Sequence, residues 1–428
     1  MKEKRGQALI VLAFALIALA AFAGLAIDGG RTYTARRQTQ NTADAVALAG
    51  TRLLAQYIGT CGSIGPIDAD RAVTLEMINI ARSNGVDPLG DDATLEAWYV
   101  DADENELGPV GWAGVMPGPG GGALASPVEV VVIPGIPDGA AGIRALLTVT
   151  DNTTFLKIVG QDEIEVTGEA MAMSGPVLQL TGGGILPLGV WHGIVDALDE
   201  GDEFILFDEE TYCRGEPCDF SGHHIPNSLH GWLNMRYLYN VDTWHTNLDR
   251  TFVKTVGNNN CSYNPDGTVN VPGTGLKGWA SGPACPYPFP IFAGAPGALN
   301  GDYIHAVPGM RASSLMELRD NHPLGTLVYA PIFDYVYVTG DMEANFGHRT
   351  PDIGWVTAGG GVNASYLHII GFVGTRLSSI QPTGGNKHIA GAFEHAIIGD
   401  GVISPSSGFN AGDGICADMR LMGVQLWR

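Results

Sequence analysis

The chain has 428 residues, 45% of them hydrophobic, and a net charge of −22. About 370 residues remain beyond a long N-terminal helix, enough for two ordinary domains with real cores. A surface this acidic repels a phosphate backbone, which excludes general nucleic-acid binding, and it suits a solvated extracytoplasmic exposure. The 60 glycines and 25 prolines, the latter mostly after Gly108, favour a loop-rich and strand-rich build over a helical bundle.

Residues Gln7 to Ile27 carry no charged side chain. As a helix they span about 30 Å, the thickness of a bilayer's hydrocarbon core. A cleaved secretory signal is the competing reading, and Ala21-Phe22-Ala23 would satisfy its small-x-small site. The apolar run is longer than such signals carry. Lys2, Lys4 and Arg5 flank one end and Arg31, Arg36 and Arg37 the other, so charge alone does not orient the segment. The short N-terminal tail and the cysteines beyond the span favour the N-terminus inside. The polar, Ala-rich run that follows has no breaker between Arg31 and Ala49. Residues 7–57 are therefore predicted as one helix, with Gly29-Gly30 the place for a kink. Ala43, Val46, Ala47, Gly50, Leu54 and Tyr57 recur at three- and four-residue steps and make a small apolar face for close helix or sheet contact. Asp28 is read as a polar stop at the lipid edge, with an ion pair to a neighbouring subunit as the functional alternative.

A second helix is predicted from Asp70 to Ser83, capped by Asp68 and stopped at Asn84-Gly85. Strands are predicted at Thr94–Val100, Val128–Ile133, Arg144–Thr150 and Glu163–Met173, with an acidic turn over 101–106 and a Gly/Pro-rich loop over 108–127. Asn152 or Thr153 is expected to cap a short helix that ends at Gly160. Past Gly175 the composition shifts toward Gly, Asn, Pro, His and aromatics. Candidate strands there are Ile185–Trp191, Glu203–Asp208, Leu327–Phe333, Tyr366–Val373, His388–Glu394 and Met419–Trp427, with a helix at Ala312–Asp320 and long loops over 209–310. The expected fold is α+β. A short leader (1–6) precedes a long helix (7–57) with its membrane segment at 7–27. The helix packs on a small α+β domain (58–175), and a second, β-rich surface domain (176–428) follows.

The segment Arg5-Gly-Gln-Ala, then Ala23-Gly-Leu-Ala-Ile-Asp-Gly-Gly-Arg-Thr-Tyr33, then Arg37-Gln-Thr-Gln-Asn-Thr-Ala-Asp-Ala-Val-Ala-Leu-Ala-Gly50 resembles the TadE/TadG-like proteins of the tight-adherence, Flp-type pilus system. Asp151-Asn-Thr-Thr-Phe-Leu-Lys-Ile-Val-Gly160 and the strand after it are similar to that family's later pattern, so the likeness runs over roughly 5–175. The resemblance implies a pilin-like helix on an α+β platform and a pilus-assembly role without catalysis. It also implies partners among pilus subunits or copies of the chain itself, a single-pass membrane location and display on extracellular filaments. It further implies cleavage by a prepilin peptidase after Gly6, leaving Gln7 first. The glutamate usual five residues past that cut is absent, and Val11 stands there. The Asp-x-Ser-x-Ser metal pentad of some members is also missing. Two other roles stay open, a repeating filament subunit and a membrane-anchored hydrolase.

The residues for hydrolase chemistry would lie around His223, His224, His230, His245 and His305, but no Gly-x-Ser-x-Gly elbow or HExxH accompanies them. Cys213 and Cys218 with those histidines have zinc-ligand chemistry at a loose spacing. Asp101, Asp103 and Asn105 look like half of a calcium loop, yet Glu106 replaces the needed glycine. The reading is therefore no cofactor and no metal. The 6 cysteines all lie beyond the membrane segment. Short separations favour Cys213–Cys218 and Cys261–Cys285 as disulfides, while Cys61 and Cys416 pair across domains or stay free. We expect mass spectrometry of unreduced peptides to find both short-range bridges. Closing the larger loop would contribute on the order of 3 kcal/mol. Free thiols at all four positions, or zinc that leaves with a chelator, would mean the compartment or the site is different.

Overall fold

The computed structural model describes residues 4–59, 65–111, 135–182, 185–195, 198, 200–208, 219–220, 223–224, 229–240, 262–263, 269–270, 280, 287–308, 312–338, 342, 365–385, 387–399, 402–403 and 421–427. Helix α1 runs without a break from Lys4 to Gly59, a length of roughly 84 Å. The glycine pair does not kink it. Gly29 and Gly30 are helical, and a Cβ on either would meet nothing within 4 Å beyond the helix's own backbone. The hydroxyls of Thr32 and Thr34 donate to the carbonyls of Asp28 and Gly30, four residues back, at 2.9 and 3.0 Å, so these polar side chains are satisfied within the helix.

Helix α2 (Pro66–Ser83) begins a turn earlier than the sequence indicated. Pro66 opens it, which suits a position whose N–H has no intrahelical partner. Gly65 is the N-cap and makes no side-chain bond. Asp68 does not cap it but sits in the first turn, where its charge meets the positive end of the helix dipole. Strands β1 (Ala93–Val100), β2 (Glu106–Pro109), β3 (Gly142–Asn152) and β4 (Glu163–Gly182) follow, paired antiparallel in the order β2, β1, β3, β4. The predicted strand Val128–Ile133 lies outside the described residues. Ala43, Val46, Ala47, Leu54 and Tyr57 of α1, Val73, Met77 and Ala81 of α2, and Tyr99, Ile143, Leu147 and Ala172 of the sheet form one core. The small-residue face of α1 thus meets the chain's own sheet. Inside this layer the Tyr99 hydroxyl donates to the buried Asp70 carboxylate at 2.7 Å, tying β1 to α2. Burial raises the Asp70 pKa, and the bonds from Tyr99 and the Gly111 N–H only partly offset it.

The later elements are β5 (Val190–Trp191), α3 (His192–Val195), β6 (Glu203–Asp208), the hairpin β7 (Asp219–Phe220) with β8 (His223–His224), and β9 (Leu229–Asn240). Then come the hairpin β10 (Ser262–Tyr263) with β11 (Val269–Asn270), β12 (Tyr287–Phe292), β13 (Asp302–Pro308), α4 (Ala312–Asn321), β14 (Leu327–Val338), β15 (Ser365–Gln381), β16 (His388–Glu394), β17 (Ile397–Ile398), β18 (Val402–Ile403) and β19 (Met422–Trp427). A second sheet runs β5, β14, β15, β13, β9, with β16 joining β15 to β6. Strands β9, β12 and β13 occupy stretches that the sequence reads as loop. In β12, Pro288 and Pro290 argue against a strand. Among the described residues it pairs with β4 alone, through an irregular register, and such an edge tolerates missing N–H donors.

Strand β4 links the two regions. Its first half pairs with β3 and with β19, Val424 opposite Ser174 and Trp427 opposite Met171, so β19 extends the first sheet and β17 lies parallel beyond it. Its second half pairs with β12 and β18. There Val177 and Leu180 enter a core with Leu233, Ile304, Phe333 and Phe372 of the second sheet. Another core, around Phe207, Trp232, Leu315, Val328 and Phe393, involves α4.

Helix α1 approaches the first sheet closely at Gly168. A Cβ there would lie 2.9 Å from the backbone of Thr39 and Gln40. Gly168→Val should therefore lower unfolding stability by about 1–3 kcal/mol, or prevent folding, through forced separation of helix and strand. Gly30→Ala, in open space within a helix, should stabilise by up to about 1 kcal/mol. Thermal unfolding of the full chain in detergent checks both signs.

Candidate functional site

From Val11 to Phe22 and Ala23 the described side chains of α1 are exposed, among them Phe14, Leu16, Leu19 and Phe22. The helix is long and apolar enough here to cross a membrane. Cover begins at Gly24, where a Cβ would lie 2.6 Å from the Phe155 ring. One turn further on, Asp28 is 3% exposed. Its Oδ1 accepts from the Thr154 N–H at 3.1 Å, and its Oδ2 accepts from Phe155 and Leu156 at 2.8 and 2.7 Å. These are the free donors at the start of a 3-10 turn, Leu156–Val159. The turn is closed by Gly160 in the left-handed conformation, φ 85°. Arg31 completes the junction by donating to the Thr154 hydroxyl at 2.8 Å and to Asp151 at 3.2 Å. The space enclosed among Asp28, Arg31, Asp151 and Thr153 is about 10 Å³, room for one water at most.

The structure adds a role to the polar stop expected at Asp28: within a continuous helix, its carboxylate caps a turn of its own chain 126 to 128 residues away. The cap expected from Asn152 or Thr153 is likewise absent. The Thr153 hydroxyl donates instead to the carbonyls of Gln161 and Asp162, which holds the base of the turn. Burial pushes the Asp28 carboxyl up, but three backbone N–H bonds and the Arg31 guanidinium outweigh it, so its pKa lies below the ordinary carboxylate value.

The other candidates resolve differently. Gly6 and Gln7 lie in the helical backbone at the start of α1. Cys61, Cys213, Cys218, Cys261, Cys285 and Cys416 lie outside the described residues, as does His245. His223 and His224 form β8 and His230 lies in β9. His305 is 6% exposed and packs edge-on against Tyr366, and burial pushes its pKa down to about 4. It is a neutral core residue at physiological pH. The Asp101 carboxylate accepts from the backbone N–H groups of Asp103 and Asn105 and from the Asn105 amide, so its own turn occupies it. Among the described residues no three His, Cys, Asp or Glu side chains form a metal-binding group. A groove of about 330 Å³ lies beside α1 and β19, with Asp44, Glu104 and Glu169 set against the single cation Arg144. Arg144 bonds Glu106 and Glu169, and the Trp427 indole donates to Glu104 at 2.8 Å.

Residues 6–56 match the model of a family described as "Putative Flp pilus-assembly TadE/G-like". The N-terminal region is TadE/TadG-like, in agreement with the residues over 5–50, and the matched stretch lies wholly within α1. No curated protein and no solved structure matches the chain.

The depressed pKa fixes the sign of a pH effect. Asp28 stabilises the junction above the unfolded-state carboxylate value near 4, and that contribution fades as pH falls through the lower folded value. Asp28→Ala should speed amide exchange at Thr154, Phe155 and Leu156 by about tenfold at neutral pH, the scale of a lost cap. Asp28→Asn should fall between the two. In thermal melts the gap between wild type and Asp28→Asn should narrow below about pH 4. Unchanged exchange in Asp28→Ala would show that the carboxylate does not hold the turn.

Proposed function

We infer that the protein is a component of a tight-adherence pilus-assembly system. It is anchored in the membrane through residues 7–27 and carries its α+β platform and its β-rich region on the extracytoplasmic side. The observation that supports this best is the sharp division of α1. Its described side chains before Gly24 are apolar and exposed, whereas from Thr39 to Tyr57 one face is buried against the first sheet. A helix of this kind has one half suited to lipid and one half committed to a fold. The remainder, about 176–428, is read as a surface unit that makes protein or surface contacts.

A repeating-subunit role is less well supported. Ala43, Ala47 and Gly50, the small residues that would let helices of neighbouring copies approach, are covered by the chain's own sheet and by Met77 of α2. Only the N-terminal half of α1 remains for such packing. An assembly or accessory role needs no more than that half in the membrane.

The N-terminal residue of protein purified from cells tests the anchoring, together with its partition after alkaline carbonate extraction. An intact N-terminus, or one at Gln7 after a prepilin-type cut behind Gly6, with the protein in the membrane pellet, is the expected result. An N-terminus beyond Ala21 and a soluble protein would replace the anchor by a removed signal.

A further inference from the structure

We propose that the turn following Thr154 is a second membrane contact, a foot by which the platform rests in the bilayer interface beside its own helix. This rests on the anchored reading above. If the span is 7–27, its outer edge is Ile27. Gly24 then lies about 4.5 Å deeper along the axis, and Gly24 is where the Phe155 ring touches the helix. Ile27 lies three residues on, on the same side of the helix as Gly24. The Asp28 cap sets the depth of the turn, because Thr154, Phe155 and Leu156 are bonded to a residue one position past that edge.

Phe155 covers Gly24 on one side and is 38% exposed on the other. The exposed part lies level with Leu25 and Ile27, themselves more than half exposed. A lone exposed aromatic needs no explanation on a soluble surface. Here it continues an apolar band that the helix presents all round, so the same lipid that covers the helix covers the ring. Aromatic residues favour this interfacial depth. Lys157, two residues on, is exposed and can lay its stem along apolar surface with its ammonium among headgroup phosphates. The partner is thus the bilayer around the anchor, its apolar edge for Phe155 and its headgroups for Lys157.

The test is photolabelling of the full chain in vesicles of phosphatidylcholine and phosphatidylglycerol that contain a lipid with a diazirine high on the acyl chain. Adducts are mapped by mass spectrometry. Adducts within α1 before Gly24 and also within the 145–157 tryptic peptide are expected. Phe155→Asp should reduce adducts in that peptide by about tenfold, with α1 labelling unchanged, and Phe155→Leu should keep them within about twofold, since an aliphatic side chain partitions similarly. Labelled α1 with an unlabelled 145–157 peptide overturns the foot and leaves the anchor standing. No label on α1 overturns the anchored reading and the foot with it. Equal loss in the Asp and Leu variants would trace the effect to the fold of the turn and overturn the lipid contact.

Discussion

The Asp28 carboxylate accepts three N–H bonds from a turn that lies more than a hundred residues away in sequence, and this acceptor decides how the first sheet meets its helix. Near the midpoint of α1 the other attachments gather around the same turn, Gly24 against Phe155 and Arg31 on Thr154 and Asp151. Between Asp28 and Thr39 its surface is mostly exposed, and the dense packing starts only where Gly168 meets Thr39 and Gln40. Two attachments, one polar at Asp28 and one steric at Gly168, hold the β3–β4 hairpin against the rod at separate heights. A hairpin held twice cannot pivot about either point. Because α1 has no break at Gly29-Gly30, the height of the platform over the lipid-suited segment is set by helix rise alone.

Strand β4 extends that rigidity to the rest of the chain. It reaches from the first sheet into the core shared with the second, and β19 returns from the far end of the sequence to pair along its first half. The C-terminal region is therefore held to the platform by a continuous strand and by a non-covalent ladder at once. Local opening of a domain usually begins at frayed ends with few contacts. Here the final strand is hydrogen-bonded to β4 and pinned through Trp427 to Glu104, so the end of the chain is among the parts that hold the assembly together.

The parts legible in the sequence are those set by local periodicity. The continuous helix, its buried face from Ala43 to Tyr57, and the strands near 93–100, 142–152, 203–208 and 388–394 follow from patterns within a dozen residues. The Asp28 cap was not legible, because nothing local to Asp28-Gly-Gly-Arg31 points to Thr154, and Asn152 and Thr153 offered nearer caps that the fold uses otherwise. Strand β9 was hidden among glycines and aromatics, and β12 by its two prolines, which only an irregular edge pairing tolerates. The role of β19 in the first sheet depends on a pairing with residues 171–176, far earlier in the chain, which no single stretch encodes.

Charge gives the arrangement its direction. The chain is strongly acidic as a whole, and on the anchored reading such a body is repelled by anionic headgroups that come within a Debye length of about 8 Å. The stretch just past the lipid-suited segment is different: Arg31, Arg36 and Arg37 are exposed on α1, and Lys157 is exposed on the turn beside it. Arg31 is paired with Asp151 and the exposed Asp162 and Glu163 stand at the base of the same turn, so the collar is a mixed band in which Arg36, Arg37 and Lys157 are the groups suited to headgroup phosphates. Repulsion of the acidic regions and attraction at this collar act in the same sense. On the anchored reading both would favour an upright rod, with contact confined to the junction that Asp28 organises.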